Sequence, residues 1–391
     1  MLVFSFLFAT IAPVQAAKSD SPDNRYFIKS KASLWKNSLS VRNNFENGFT
    51  ADLNDWQLRL IKLFGVEIEK VHKLYVSPEI APDILSDNSD TSGKRPIRTT
   101  PDLQVPWGVG KMYGDSELAS TSGGTDITVA VLDTGIARNH PDLTRRVSDC
   151  KDFTTPKPVV NGKCDDKNGH GTHIAGIIAA DGGGDGKGIY GMAPETELFV
   201  YKVCDASGSC WADDIATAIQ AAVDNGAQII NLSLGSDKES PFIHQAIDYA
   251  GDHDTLVVAA AGNDGPYDGS IDYPAANSRV ISVGAMDDKG NVPDWSSRGA
   301  NSDSTLGEHN ENDLMFVAPG VNIESTWKEG YATLSGTSMA TPHIVGLAAL
   351  LWNSAVEHPA LAAEEAIQAL VQDIGAPGED NDSGLGLPTL K

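Results

Sequence analysis

The patterning of this chain points to an open α/β sheet, mainly parallel and with helices on both faces, preceded by a small α+β unit. Short runs at residues 127–132, 198–203, 228–232, 256–260 and 280–283 are apolar almost without interruption. Such runs read as strands buried on both faces, since alternation disappears when neither face meets water. Between them, residues 212–223 and 242–249 carry helical spacing. Strands that alternate with helices in this way form a parallel sheet covered on both sides. Ligands bind beyond the carboxyl ends of such strands, so the residues just after each run are where chemistry is expected.

The N-terminal part is organised differently. Residues 26–28 and 70–76 read as strands, and residues 53–64 have helical periodicity ending at Gly65, a C-cap. Residues 77–102 are rich in Ser, Asp, Pro and Thr and have no hydrophobic period, which marks a linker. The 391 residues suffice for a domain of ~250 or more plus an accessory one.

Residues 2–12 form a short apolar run followed by Val14-Gln15-Ala16-Ala17, a pattern that fits a signal peptide cut after Ala16. One feature departs from the pattern: neither Lys nor Arg precedes the run. A buried strand or a membrane anchor is the rival reading, and no run reaches the ~18 apolar residues of a span. The formal net charge of -24 disfavours nucleic acid and anionic membranes as partners and favours divalent cations. Four cysteines fall into two close pairs, Cys150/Cys164 and Cys204/Cys210. In an exported protein such pairs read as disulfides; neither has the Cys-x-x-Cys spacing usual for zinc.

Four positions carry the chemistry. Ser338 stands in Gly336-Thr337-Ser338-Met339-Ala340-Thr341-Pro342-His343, at the mouth of an apolar run at 344–351. A helix start supplies unpaired N–H groups for an anion, yet Ser and Thr are also ordinary caps. Asp133 directly follows the run 127–132 and precedes Thr134-Gly135, where a turn aspartate is equally common. His170, in Asn168-Gly169-His170-Gly171-Thr172-His173, is flanked by glycines that allow close approach. It also reads as a helix-start histidine, or as a metal ligand paired with His173 although the glutamate of zinc peptidases is missing. Asn263 follows the run 256–260, where its amide is placed to donate to an oxyanion or simply to make a turn. Singly each is ambiguous; the order Asp, His, Asn, Ser within one α/β segment is not.

The blocks around Asp133, His170 and Ser338 resemble, nearly residue for residue, the signature blocks of the subtilisin-like serine proteases, whose triad runs in that order. The resemblance covers about residues 103–391 and is nearest to secreted bacterial members with a disulfide before the histidine block. Residues 44–76 resemble the inhibitor-like propeptide of the same family. It implies a signal peptide at 1–16, a propeptide at 17–76, a linker with the autoprocessing site at 77–102 and a catalytic domain at 103–391. Ser338 is then the nucleophile, His170 the base and Asp133 its support, with an oxyanion hole from the Asn263 side chain and the Ser338 N–H, helped by the Thr337 hydroxyl. Ser233, Leu234 and Gly235 line the substrate groove, and Ser207-Gly208-Ser209 forms its opposite rim, bracketed by Cys204 and Cys210.

Asp272 departs from the family pattern, since many relatives have glycine there at the base of the primary pocket, and Asp264 falls near that pocket's rim. Two carboxylates there favour Lys or Arg at the cleaved position. The alternative is that Asp272 points outward or binds a cation. Asp142 matches a calcium-binding carboxylate of the family, and the glycine-rich residues 181–189 match the loop that completes a structural Ca2+ site. That assigns carboxylates to Asp142 and Asp185 and carbonyls to Gly183, Lys187 and Ile189; a solvated loop is the alternative. The expected partners are protein and peptide substrates and the chain's own propeptide, acting as intramolecular chaperone and inhibitor, around a monomeric secreted enzyme. Autoprocessing is expected near Arg98-Thr99-Thr100. General extracellular degradation is the favoured role, with a dedicated processing protease as the alternative. A non-catalytic binding protein would have lost Asp133, His170 or Ser338, and none is lost. The acidic residues 300–313 fit either a second cation site or a solvated loop.

Overall fold

A computed structural model describes residues 23–76, 97–155, 159–267, 269–299 and 313–391 of the chain. The expected signal segment, most of the linker and all but the last residue of the 300–313 insertion lie outside the described residues.

The first unit runs β1 (Arg25–Ile28), α1 (Ser33–Ser38), β2 (Val41–Phe45), β3 (Gly48–Asp52), α2 (Asp55–Leu63), β4 (Ile68–Lys70) and β5 (Lys73–Val76). The first four of its strands form an antiparallel sheet in the order β2-β3-β1-β4. Ile28, Phe49, Ala51, Leu53 and Ile61 make its own small core. The helix expected at 53–64 starts later, because Asn54 and Gln57 form a reciprocal capping box. The single strand expected at 70–76 is two, broken at Val71 and His72. β5 has left the first sheet altogether.

The larger unit continues with α3 (Trp107–Tyr113), β6 (Thr128–Asp133), β7 (Val147–Asp152), β8 (Val160–Asn161), α4 (His170–Ala179), β9 (Glu197–Lys202) and β10 (Ser209–Trp211). Next come α5 (Ala212–Asp224), β11 (Ile229–Leu232), β12 (Leu234–Gly235), α6 (Pro241–Asp252), β13 (Leu256–Ala260), β14 (Ile281–Met286) and β15 (Phe316–Pro319). The chain closes with β16 (Ile323–Trp327), β17 (Gly330–Leu334), α7 (Thr337–Leu351), α8 (Pro359–Gln368), β18 (Val371–Gln372) and β19 (Leu387–Pro388).

Eight strands form the main sheet in the order β15-β14-β13-β11-β6-β9-β7-β8, parallel except for the β7–β8 edge. All five apolar runs read from the sequence are strands of this sheet. β11, β13, β14 and β15 follow one another to one side of β6, while β9, β7 and β8 lie on the other, so the chain crosses over between β6 and β11, where an open sheet leaves its crevice. α4 packs with α7 and α5 packs with α6. α7 is buried through nearly its whole length, which is why its sequence is apolar all round. The helix begins before the apolar run, so Ser338 is its second residue; likewise His170 is the first residue of α4. Cys150 is bonded to Cys164 and Cys204 to Cys210. Among the described residues no helix is long and apolar enough to cross a membrane.

Candidate active site

Asp133 ends β6 and Ser233 directly follows β11, its hydrogen-bonded neighbour, so both lie at the carboxyl edge beside the crevice. His170 is held on the first. Its Nδ1 lies 2.9 Å from both carboxylate oxygens of Asp133, and both side chains are almost wholly out of solvent. Ser338 is held on the second: its Oγ donates to the Ser233 carbonyl at 3.1 Å, while Ser233 Oγ donates to the Ser338 carbonyl at 3.0 Å. His170 Nε2 is buried with no hydrogen-bond partner among the described residues. The imidazole therefore has one nitrogen committed to Asp133 and the other left toward the crevice.

Asn263 follows β13, the next strand along. Its Oδ1 accepts from the Thr337 N–H at 3.0 Å and from the Thr337 hydroxyl at 3.1 Å, which leaves the amide nitrogen beside Gly336. The Thr337 hydroxyl is thus bonded to Asn263, and it accepts from the Gly262 N–H at 3.2 Å. Gly336 has a φ of 157°, at the limit of what other residues adopt, and gives the sharp entry into α7. In the first turn of that helix the Ser338 N–H has no acceptor four residues back, so it is available to an anion.

One residue absent from the sequence expectations organises the histidine. Asp166 Oδ1 accepts from the Thr134 hydroxyl at 2.9 Å and from the N–H groups of Asn168 and Gly169; its Oδ2 accepts from the N–H and hydroxyl of Thr172. These bonds tie the loop before His170 to the end of β6. The buried Lys202, opposite Asp133 in the sheet register, donates to the carbonyls of Thr134 and Cys204. Burial lowers its pKa, opposed by Asp166, Asp152 and Asp133.

The residues expected to line the groove lie on or beside two short edge strands, β10 and β12, and β5 fills the space between them in an antiparallel three-stranded sheet. Leu234 pairs with Val76 and Gly235 with Tyr75, while the Val76 N–H donates to the Gly208 carbonyl at 3.0 Å. The first unit thus lays its last strand along Ser233-Leu234-Gly235 on one side and the disulfide-closed loop of Gly208 on the other. Arg98 lies elsewhere, bridged to Tyr331 and ion-paired with Asp102 and Glu324.

Behind β5, a buried ionic cluster joins the two units. Arg25 pairs with Asp213 at 3.0 Å and Asp214 at 2.8 Å, in the first turn of α5, and covers the Trp211 ring. Asn43 donates to both aspartates and Thr50 to Asp213. Burial and the neighbouring Asp213 push the Asp214 carboxyl up to about 6.

The loop expected to hold a cation lies against Asp142. Asp142 Oδ2 accepts from the Ile189 N–H at 3.0 Å and the Tyr331 hydroxyl at 2.8 Å, whereas Oδ1 is buried without a hydrogen-bond donor among the described residues. Gly183 and Gly188 approach that oxygen so closely that a Cβ on either would meet it, at 2.9 and 1.9 Å. Asp185 accepts from the Lys187 N–H on the exposed side of the loop. Gln104, which sequence reasoning missed for want of any local motif, donates its side-chain amide to the Gly186 carbonyl. A buried carboxylate oxygen facing a glycine-rich turn fits a hard cation.

Asp272 is 7% exposed and does not point outward, while Asp264 is exposed at the rim and donates its N–H to Ser297. Burial, followed by Asp264 and Asp237, pushes the Asp272 carboxyl up to about 7.

Residues 124–386 match the Subtilase family. The chain is 40% identical over 373 residues to Subtilisin of Bacillus sp. (strain TA39), covering 88% of this chain and 84% of that one. Over 296 residues it is 39% identical to M-protease of Shouchella clausii (strain KSM-K16), covering 73% and 72%. Among solved structures, Sphericase matches with a TM-score of 0.72 at 43% identity, over 74% of this chain and 99% of that one. A second, S41 Psychrophilic Protease, matches at 0.71 and 42%, with the same coverage. The chain belongs to the subtilase family and is a serine endopeptidase.

Proposed function

We propose that Asp133, His170 and Ser338 form the catalytic triad of a secreted endopeptidase made as a self-processed precursor. The observation that carries this reading is the pairing of His170 Nδ1 with Asp133, one strand away from Ser338. With Nδ1 donating to Asp133, Nε2 is the basic nitrogen. Rotation about the Ser338 Cα–Cβ bond carries the hydroxyl from the Ser233 carbonyl to Nε2, which takes the proton as Oγ attacks the peptide carbonyl. The oxyanion forms against the Asn263 amide and the Ser338 N–H; Thr337 holds Asn263 in place for it. The imidazolium, supported by Asp133, then returns the proton to the leaving amine.

Residues 17–76 act as propeptide: the strand Lys73–Val76 occupies the groove in the manner of a substrate and blocks it until it is released. Cleavage falls in 77–102, and the position of β5 favours the start of that segment over the neighbourhood of Arg98. Calcium, held by Asp142 with Gly183, Asp185, Lys187 and Ile189, would cross-link the loop to the body of the domain. General protein degradation fits a groove that binds substrate mainly through its backbone. Broad digestion of casein supports that role, and cleavage of one precursor alone supports the processing alternative.

The test is a fluorophosphonate probe and the Ser338→Ala chain. The reading requires probe attachment at Ser338, and an unprocessed, inactive precursor from the variant. A variant that still matures to an active enzyme overturns it.

A further inference from the structure

Asp272 is sunk between two glycines of the groove. A Cβ on Gly235, in the strand that pairs with β5, would come within 2.7 Å of the Asp272 side chain. A Cβ on Gly262, the residue before Asn263, would come within 2.7 Å of its Oδ2. The Asp272 main chain is fixed by donation to the Ala261 carbonyl, and its neighbour Tyr273 is bridged to Ser236. The carboxylate, by contrast, has no hydrogen-bond donor and no cation paired with it among the described residues. Carboxylate oxygens of Asp237 and Asp264 complete a trio lying within 4.8 Å of one another. Neither of those two forms an ion pair among the described residues. Three acidic groups therefore converge beside Gly262 and Asn263 with no counter-charge among the described residues, and the deepest of them is more than nine-tenths buried.

We propose that Asp272, with Asp237 and Asp264 at its rim, makes the primary pocket a receptor for a cationic side chain, so that this enzyme cuts after Arg or Lys. This rests on the Ser338 endopeptidase reading above and names its substrate class. A buried carboxylate without a partner is costly, and an apolar substrate side chain would bury it further while giving nothing in return. An Arg or Lys side chain lays its apolar stem along the glycine walls and delivers its charge to the carboxylates at the far end. The guanidinium also offers paired N–H groups to both oxygens of Asp272, which favours Arg over Lys. The two glycines make the room that Asp272 itself occupies: any side chain at Gly235 or Gly262 would collide with it. A divalent ion is the competing occupant, and chelation in the test below separates the two.

The test compares matched tetrapeptide substrates ending in Arg, Lys, Phe or Leu, using enzyme titrated at Ser338 with a fluorophosphonate. The native enzyme should favour Arg over Phe in kcat/KM by at least about tenfold. Asp272→Asn should reduce that ratio about thirtyfold or more, the lower end of what removing one partner of a buried charge pair costs. If that variant does not fold, the double variant Asp237→Asn/Asp264→Asn, altered at exposed positions, should reduce the ratio by up to about fivefold. Equal cleavage of Arg and Phe peptides by the native enzyme, or an unchanged ratio in both variants, overturns the proposal. So does an Arg preference that emerges only after chelation and disappears with added calcium, since the pocket would then hold an ion. Labelling at Ser338 without Arg preference refutes the pocket alone; failure to label refutes the endopeptidase reading and the pocket with it.

Discussion

Replacing Asp272 by Asn is expected to stabilise the protein in a pH-dependent manner. The carboxyl is held at about 7 against an ordinary value of 3.8, chiefly by burial. Between those pH values the folded chain binds a proton that the unfolded chain has released, so native stability falls as pH rises from ~4 to ~7 and is flat above. Roughly three pH units at about 1.36 kcal/mol each give a ceiling of about 4 kcal/mol. Asparagine matches the shape and carries no charge, so most of that penalty should vanish at pH 8 and none should be recovered below pH 4. The assay is thermal unfolding of the full-length Ser338→Ala chain, with and without Asp272→Asn, at acid and alkaline pH. A protein of this size unfolds irreversibly in many cases, so scans are compared at one heating rate. On the scaling for long chains, the variant should melt on the order of 5 °C higher at pH 8 and alike at pH 4. A variant that melts lower at pH 8 refutes the reasoning, because an ionised Asp272 would then have a stabilising partner. An equal difference at both pH values refutes it as well.

Other consequences can be checked directly. Asn263→Ala should lower kcat by ~10²–10³, the loss measured for the corresponding residue of subtilisin, with little change in KM; near-full turnover would remove Asn263 from the oxyanion hole. Asp142→Asn, or chelation of the unaltered enzyme, should lower the melting temperature, and a calcium-independent melting curve would dissolve the cation site. Arg25→Ala strips the main cation from the cluster around the buried Asp213 and Asp214. Breaking a buried pair costs about 3 kcal/mol or more, so the cleaved first unit should inhibit ~10²-fold more weakly on dilution of the processed chain. An unchanged dilution curve would mean that β5 alone holds it.

Much of this architecture was legible because the buried sheet leaves a strong local mark. β6, β9, β11, β13 and β14 are largely apolar on both faces; β15, Phe316-Val317-Ala318-Pro319, carries the same mark but is not among the runs read from the sequence. β7 was not legible: Val147, Asp149 and Lys151 lie near the sheet edge, and their mixed polarity hides a strand. β16 and β17 owe their pairing to each other and to contacts such as Thr326 with the Thr172 carbonyl, which no local pattern encodes. The capping box of Asn54 and Gln57 was readable in principle and moves the start of α2 by two residues.

The candidate site divides along the same physical line. Asp133, His170, Asn263 and Ser338 each stand at an abrupt change of pattern, where a strand ends or a helix begins, and glycines crowd that junction to admit partners. A sequence displays such junctions. Asp166 bonds mostly within its own block, to Asn168, Gly169 and Thr172. Gln104 and Asp237 carry no local signal, and what they do is decided by what lies opposite them: the Gly186 carbonyl and Asp272. Their roles exist only after the sheet has closed, so no window of sequence contains them. Asp272 lies between the two cases. Its departure from glycine was visible along the chain, but its meaning depends on whether the side chain turns out to solvent or in beneath Gly235. The fold turns it in, against Gly235 and Gly262, with two further carboxylates and no cation paired with it among the described residues. A charge kept there at a cost in stability is best explained by the charge it meets in the substrate.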